Sequence, residues 1–187
     1  MRATQRLTAP HGALLVVDVQ EKLVAAVADG PLVVANAVRL VRGARLLGVP
    51  VQATEQYPKG LGGTVAPLAE LIPERPSKLA FACCSAPQVL EQFYGRLVRH
   101  VTLVGLEAHV CVAQTALDLL DLGFRVQVPA DAVASRDPFD RDVALRRLEA
   151  AGAVVSTTEA VLFEWCETAD RPEFKALSAL VKEKGTA

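Results

Sequence analysis

The sequence predicts an α/β fold built on a parallel sheet. Three observations carry that reading. Short, continuous, β-branched runs recur along the chain, longer segments with helical spacing separate them, and Gly, Pro or Asp marks the boundaries. Strands without polar alternation belong to sheets covered on both faces. Strands alternating with helices give βαβ units with right-handed crossovers.

The elements follow in order. Ala13–Val17 is the first strand. Pro31 through Leu47 is a helix whose polar Asn36, Arg39, Arg42 and Arg45 recur on one face, and Gly48 terminates it. Val49–Ala53 is the next strand. The Gly- and Pro-rich stretch Glu55–Lys78 then leaves its carboxyl end. Ligands of open α/β sheets bind beyond the carboxyl ends of strands, so this long loop is a candidate pocket wall. Ser85-Ala86-Pro87-Gln88 reads as a capping box opening a helix to about Leu97. Val101–Val104 is a strand, Val110–Leu122 a helix ending at Gly123, and Arg125–Val128 a strand. Asp137-Pro138 opens a helix with Asp as cap and Pro in the first helical position. Ala153–Ser156 is the last strand. Asp170-Arg171-Pro172-Glu173 opens a final helix with an apolar stripe of Phe174, Leu177, Leu180 and Val181.

Composition bounds the function. With 187 residues and neither linker nor repeat, residues 1–187 are expected to form one domain. The 51% of apolar residues excludes a disordered chain. Twenty basic against 21 acidic residues give a net charge of −1, so no nucleic-acid partner is expected. No apolar run is long enough for a membrane span, and no membrane partner is expected. Met1–Pro10 lacks the apolar core of a secretory signal. Four cysteines, with Cys83 and Cys84 adjacent, do not form a disulfide framework, and the expected setting is the cytoplasm.

Gly60-Leu61-Gly62-Gly63-Thr64 does not directly follow a strand and lacks the Lys-Ser/Thr pair of a phosphate loop, so it reads as a flexible surface loop. His11, His100 and His109 show no ligand spacing and no Cys-x-x-Cys pair exists, so neither metal nor other cofactor is expected. Three residues remain. Asp18 ends the first strand, as a site carboxylate or as a turn cap. Cys111 stands at a helix start, where the N-terminus lowers a thiol pKa; the alternative is a buried structural cysteine. Lys78 ends the Pro-rich loop, where most lysines are surface decoration. A nucleophilic thiol needs a base and a cation, and these three supply them.

Longer matches go further: Leu-Val-Val-Asp-Val-Gln at 15–20, Thr-Glu-Gln-Tyr-Pro-Lys-Gly-Leu-Gly at 54–62, Lys78 with Phe81, Gly-Leu-Glu-Ala-His-Val-Cys-Val-Ala-Gln-Thr-Ala at 105–116, and Val-Pro-Ala-Asp-Ala-Val-Ala-Ser-Arg at 128–136. With these segments the chain resembles the isochorismatase-like cysteine hydrolase superfamily from Leu14 to about Leu180, and most closely its isochorismatase domain-containing branch. The resemblance implies a three-layer, Rossmann-like fold: a six-stranded parallel sheet with helices on both faces. It implies a triad of Asp18 as base, Lys78 as stabilising cation and Cys111 as nucleophile. It also implies a non-proline cis peptide near Leu106–Glu107, with an oxyanion hole from the N–H groups of Glu107 or Ala108 and Cys111. Gln20, Glu55, Gln56, Tyr57, Phe81 and His109 are the expected substrate-pocket residues.

Two departures refine this. Nicotinamidases of the superfamily carry metal-binding histidines after the second strand, where this chain has Glu55-Gln56-Tyr57. True isochorismatases lack the nucleophilic cysteine and cleave a vinyl ether, whereas Cys111 is present here. The expected substrate is a small molecule with an amide or ureido-type C–N bond. The alternatives are a non-catalytic binding or scaffold protein on the same fold, and a nucleotide-binding doubly wound domain. A homo-oligomer is expected as well. The Val110–Leu122 helix is apolar around most of its circumference, so either the Leu162–Trp165 segment or a second subunit should cover its outer side.

Overall fold

The computed structural model describes residues 6–183; the first five residues of the Met1–Pro10 segment lie outside the described residues. The strands are β1 (Gly12–Val17), β2 (Val51–Gln56), β3 (Ser77–Lys78), β4 (His100–Leu106), β5 (Arg125–Pro129), β6 (Val133–Ala134) and β7 (Val154–Ser156). They pair in the order β3-β2-β1-β4-β5-β7, with every neighbour parallel, and β6 pairs with the end of β4. The expected six-stranded sheet is thus a six-strand path with one short strand beside it. β3 and β6 have two residues each, too few to show a pattern in sequence. The second strand starts at Val51 rather than Val49, because the Val49 N–H closes the preceding helix on the Ala44 carbonyl.

The helices are α1 (Glu21–Ala26), α2 (Gly30–Leu46), α3 (Pro58–Leu61), α4 (Ala66–Ala69), α5 (Pro87–Gly95), α6 (Ala113–Asp121), α7 (Pro138–Ala151), α8 (Thr158–Cys166) and α9 (Phe174–Lys182). Asp137 caps α7 as expected, accepting from the Phe139 N–H at 2.9 Å. The capping box at Ser85 is not formed. Its hydroxyl donates back to the Ala82 carbonyl at 2.8 Å within a 3-10 turn, Cys83–Ser85, and Ala86 precedes α5 without a side-chain cap. Glu55–Lys78 is not one long loop, since α3, α4 and β3 lie inside it.

Alternation along β1 divides the core. Leu14 and Val16 pack with Leu40, Leu162, Trp165 and Leu177, the layer of α2, α8 and α9. Ala13, Leu15 and Val17 pack with Phe93, Leu119 and Leu148, the layer of α5, α6 and α7. This corrects one reading: Leu162–Trp165 lies on the opposite side of the sheet from α6 and cannot cover it. α7 packs against α6 instead. Leu117 and Leu120 are half-buried against that core, while Gln114, Asp118 and Asp121 are exposed.

Strand order reverses direction between β1 and β4, and an open α/β sheet forms its crevice at such a point, beyond the carboxyl ends. Asp18 directly follows β1, and the segment carrying Cys111 follows β4. At the carboxyl end of the pair, Gly105 stands beside Val17. Its φ is +123°, and a Cβ there would lie 2.0 Å from the Val17 carbonyl oxygen.

Candidate active site

Asp18 leaves β1 with φ +51°, a left-handed conformation that is uncommon outside glycine but more accessible to Asp and Asn. Its side chain is fully buried. Oδ1 accepts from the Thr54 hydroxyl at 2.7 Å, and Oδ2 accepts from Lys78 Nζ at 2.6 Å. Lys78, 5% exposed, also donates to Gln56 Oε1 and to the Phe81 carbonyl, each at 2.8 Å. The three protons of the ammonium therefore have three good acceptors. The pairing is dictated by the strands: Val17 is in register with Thr54, and Gln56 with Lys78.

Cys111 lies in a widened helical turn, a π segment from Ala108 to Val112, entered through a cis Leu106–Glu107 peptide. Such single π turns recur at functional sites. The thiol is buried, and the Asp18 carboxylate is near enough for its charge to act on it. Burial, first, and the charge of Asp18, second, push its pKa up; Lys78 opposes them but does not prevail. The expectation that the helix start would lower this pKa is overturned. Removal of a thiol from water, beside a full negative charge, outweighs the partial charge of a helix end.

The Glu107 carbonyl accepts the N–H groups of Val110 and Val112. Its carboxylate holds both the backbone N–H and the Nε of Arg136, at 2.9 and 3.0 Å.

The expected pocket residues divide. Gln56 touches Lys78 directly. Tyr57 and Phe81, each 51% exposed, stand at the surface beside this end of the sheet. His109 contacts Ser135 Oγ through Nδ1 at 2.8 Å and approaches Asp140 at 3.8 Å, so it faces the segment before and into α7. Gln20 and Glu55 are held by other groups of the chain. Gln20 is fully buried, and its amide bonds the backbone of Gln56 and the carbonyl of Gly62. Thr54 faces Asp18, so strand alternation turns Glu55 to the other side of the sheet, where Thr64 and Arg75 engage its carboxylate.

Three residues were not foreseen. Thr54 holds Asp18 Oδ1. Because its only proton goes there, it receives the Cys83 thiol at 3.3 Å, giving a chain from Cys83 through Thr54 to Asp18. Burial pushes the Cys83 thiol up to about 11. Thr115 donates to the Cys111 carbonyl at 2.6 Å and accepts from the Cys83 N–H at 2.9 Å, tying the two cysteine segments together. Only the register of β1 against β2 could have pointed to Thr54; nothing in sequence marked the other two.

Among the described residues, no group of three or more His, Cys, Asp or Glu side chains is placed to hold a metal ion. At the position of the nicotinamidase metal ligands, Glu55 is engaged by Arg75 and Gln56 by Lys78, so these donors do not fit a metal.

Comparison with known proteins agrees with the fold. The family model described as Isochorismatase domain matches residues 12–160. Isochorismatase domain-containing protein 2 of Homo sapiens is 43% identical over 172 residues, covering 91% of this chain and 82% of the relative. A secreted isochorismatase effector of Phytophthora sojae is 37% identical over 190 residues, covering 97% of this chain and 90% of the relative. The structure of a MAR1 ribonuclease from Caenorhabditis elegans superposes with a TM-score of 0.89 at 39% identity, covering 98% of this chain and 95% of that one.

Proposed function

The chain belongs to the isochorismatase family, and from that premise we propose a metal-independent cysteine hydrolase that cleaves an amide or ureido-type C–N bond of a small molecule. The observation that carries the reading is a single buried carboxylate, Asp18, bonded to the Lys78 ammonium at 2.6 Å and near enough to the Cys111 thiol for its charge to act on it.

In the proposed path the substrate carbonyl enters beside Cys111, between the rim residues Tyr57 and Phe81 and the wall at His109. Asp18 takes the thiol proton as sulfur attacks the carbonyl carbon. The oxyanion lies against the N–H groups of Ala108 or Glu107 and of Cys111, the region of the cis peptide after Leu106. Asp18 returns the proton to the leaving nitrogen as the C–N bond breaks, giving an amine and a thioester. Water, deprotonated by Asp18, then releases the acid and restores the thiol. Lys78 holds the carboxylate in place and keeps the cluster neutral.

Residues 1–187 act in this reading as one hydrolase domain. A small substrate is favoured over RNA by a chain of net charge −1 and a reactive cluster buried below the surface. A homo-oligomer is also proposed, because Tyr57, Leu79, Phe81 and Phe139 leave large apolar groups exposed. No helix among the described residues is long and apolar enough to cross a membrane. Four free cysteines favour the cytoplasm as the setting, and fractionation of the native host checks this.

The test is a panel of small amides and ureides given to wild type, Cys111→Ala and Asp18→Ala. Turnover of the best substrate should fall at least about a thousandfold in each variant, since members of one catalytic unit fail together. It should be indifferent to chelators. Near-normal activity in Cys111→Ala refutes covalent catalysis, and loss on chelation with recovery on added zinc refutes the metal-free path. A panel that wild type leaves untouched favours a binding protein on the same fold.

A further inference from the structure

We propose that the outer edge of β2 carries a second small-molecule site, which takes an organic anion bearing a hydroxyl or amine donor. β3 pairs only with Glu55 and Gln56, so among the described residues the earlier part of β2, Val51–Thr54, has no strand on its outer side. A cavity of about 790 Å³ lies along this open edge. Its floor is Val51 and Gln52; the end of α2 contributes Arg45, the segment before β3 contributes Arg75, and the end of α5 contributes Arg96. Ligand cavities commonly measure about 300–1,000 Å³ and combine apolar walls with a few placed polar groups. Gln52 lies four residues before Gln56, about 13 Å along the strand at roughly 3.3 Å per residue, so this cavity is separate from the Asp18–Lys78 cluster.

Two independent features point to the ligand. The first is charge. Arg75 is paired with Glu55 at 3.1 Å, but among the described residues Arg45 and Arg96 have no carboxylate within ion-pair reach. Arg45 donates to the Leu71 carbonyl, which leaves its charge uncompensated. Glu74 is the one acid in the lining, so the cavity keeps a net positive charge. Guanidinium groups bind carboxylate and phosphate through paired, charge-assisted hydrogen bonds.

The second feature is Gln52, which is 7% exposed. Its Nε2 donates to Gln92 Oε1 at 2.7 Å and to the Val89 carbonyl at 3.4 Å. Its Oε1 is buried and has no hydrogen-bond partner among the described residues. Native proteins rarely leave such an acceptor unmet, and this one belongs to the floor of a cationic cavity. Gln92 is exposed and its Oε1 holds the neighbouring Gln52 Nε2, so the proposed site requires that side chain to move aside for a ligand donor to reach Gln52 Oε1. The ligand is thus an anion at the arginine end with an O–H or N–H group at the Gln52 end.

Titration calorimetry of the full chain with malate, succinate and glycerol 3-phosphate tests the proposal. Malate and succinate differ only by a hydroxyl, and glycerol 3-phosphate carries one phosphate and two hydroxyls in place of malate's two carboxylates and one hydroxyl. The expected result is saturable binding of malate, of glycerol 3-phosphate or of both, which also assigns the anionic group. Arg96→Ala, an exposed substitution that leaves the core untouched, should weaken that binding at least about tenfold, as expected for a hydrogen bond to a charged group. Gln52→Leu should erase the advantage of malate over succinate, and Cys111→Ala should leave binding unchanged. Absence of saturable binding of every probe overturns the proposal. So does binding that Arg96→Ala does not weaken, or that Cys111→Ala abolishes.

Discussion

Lys78→Met should destabilise the protein more than an ordinary surface substitution, and the cost should be largely reversed by a second change at Asp18. Both side chains are buried, 1% and 0% exposed, with Nζ and Oδ2 at 2.6 Å. Removing the ammonium leaves Asp18 with the Thr54 hydroxyl but no countercharge. Breaking a buried ion pair from one side costs about 3–5 kcal/mol, because the remaining charge stays out of water. Asp18→Asn, from the other side, leaves the ammonium on the Gln56 and Phe81 oxygens and should cost a similar amount. The double variant, Asp18→Asn with Lys78→Met, removes both charges and keeps the shape. Its cost should be nearer that of a lost neutral hydrogen bond, about 1–2 kcal/mol. Total stability of a domain is about 5–15 kcal/mol, so the single variants should stay folded but shift clearly. Urea unfolding of the four proteins at neutral pH, followed by circular dichroism, measures the cycle. Additive costs would refute the reasoning, since they would mean that water, not the partner, compensates each charge.

Two further outcomes are expected. The Cys83 thiol is raised from 9.0 to about 11, so the unfolded chain loses this proton before the folded one does. Its stabilising contribution is complete below pH 9 and is lost as pH rises toward 11. At 1.36 kcal/mol per pKa unit the loss approaches about 3 kcal/mol, and the slope of urea midpoint against pH in this window should flatten in Cys83→Ala. Gly105→Ala forces a side chain onto φ +123° and a Cβ to 2.0 Å from the Val17 oxygen. Strained backbone and overpacking together cost at least about 3 kcal/mol. In a chain of this size that lowers Tm by about 6–12 °C in a thermal melt.

Much of the fold was legible because the sheet is covered on both sides. Buried strands such as Leu14–Val17 are continuous apolar runs, and the residue that ends one and is charged, Asp18, stands out. Lys78 and Cys111 were legible by position and by family resemblance. The rest depends on neighbours that sequence does not number. Thr54 is ordinary until β1 is laid beside β2, and only the fold shows that Arg75 engages Glu55. The placement of Leu162–Trp165 required knowing on which side of the sheet each crossover passes. The direction of the Cys111 pKa failed for a physical reason. A helix terminus offers about half a charge at the edge of the protein, whereas the structure puts the thiol out of water beside a whole carboxylate charge.

That raised pKa is compatible with a nucleophilic Cys111 once the cluster is treated as a unit. In the resting arrangement the thiol is neutral, Asp18 and Lys78 carry opposite charges, and the three together carry none. Moving the proton from Cys111 to Asp18 gives a thiolate, a neutral acid and the same ammonium, again without net charge. The transfer therefore relocates a negative charge inside the buried site rather than creating one, and the desolvation that opposes a lone thiolate is not incurred a second time. Lys78 is what makes the two arrangements equivalent in charge. Its bonds to the Gln56 and Phe81 oxygens fix it independently of Asp18, so it remains in place when Asp18 is protonated. A thiolate formed this way needs to exist only as the carbonyl carbon arrives, when its charge passes on to the oxygen facing the N–H groups of the π turn. A permanently ionised cysteine would sit beside Asp18 as a second anion, and that repulsion is what the protonated resting state avoids.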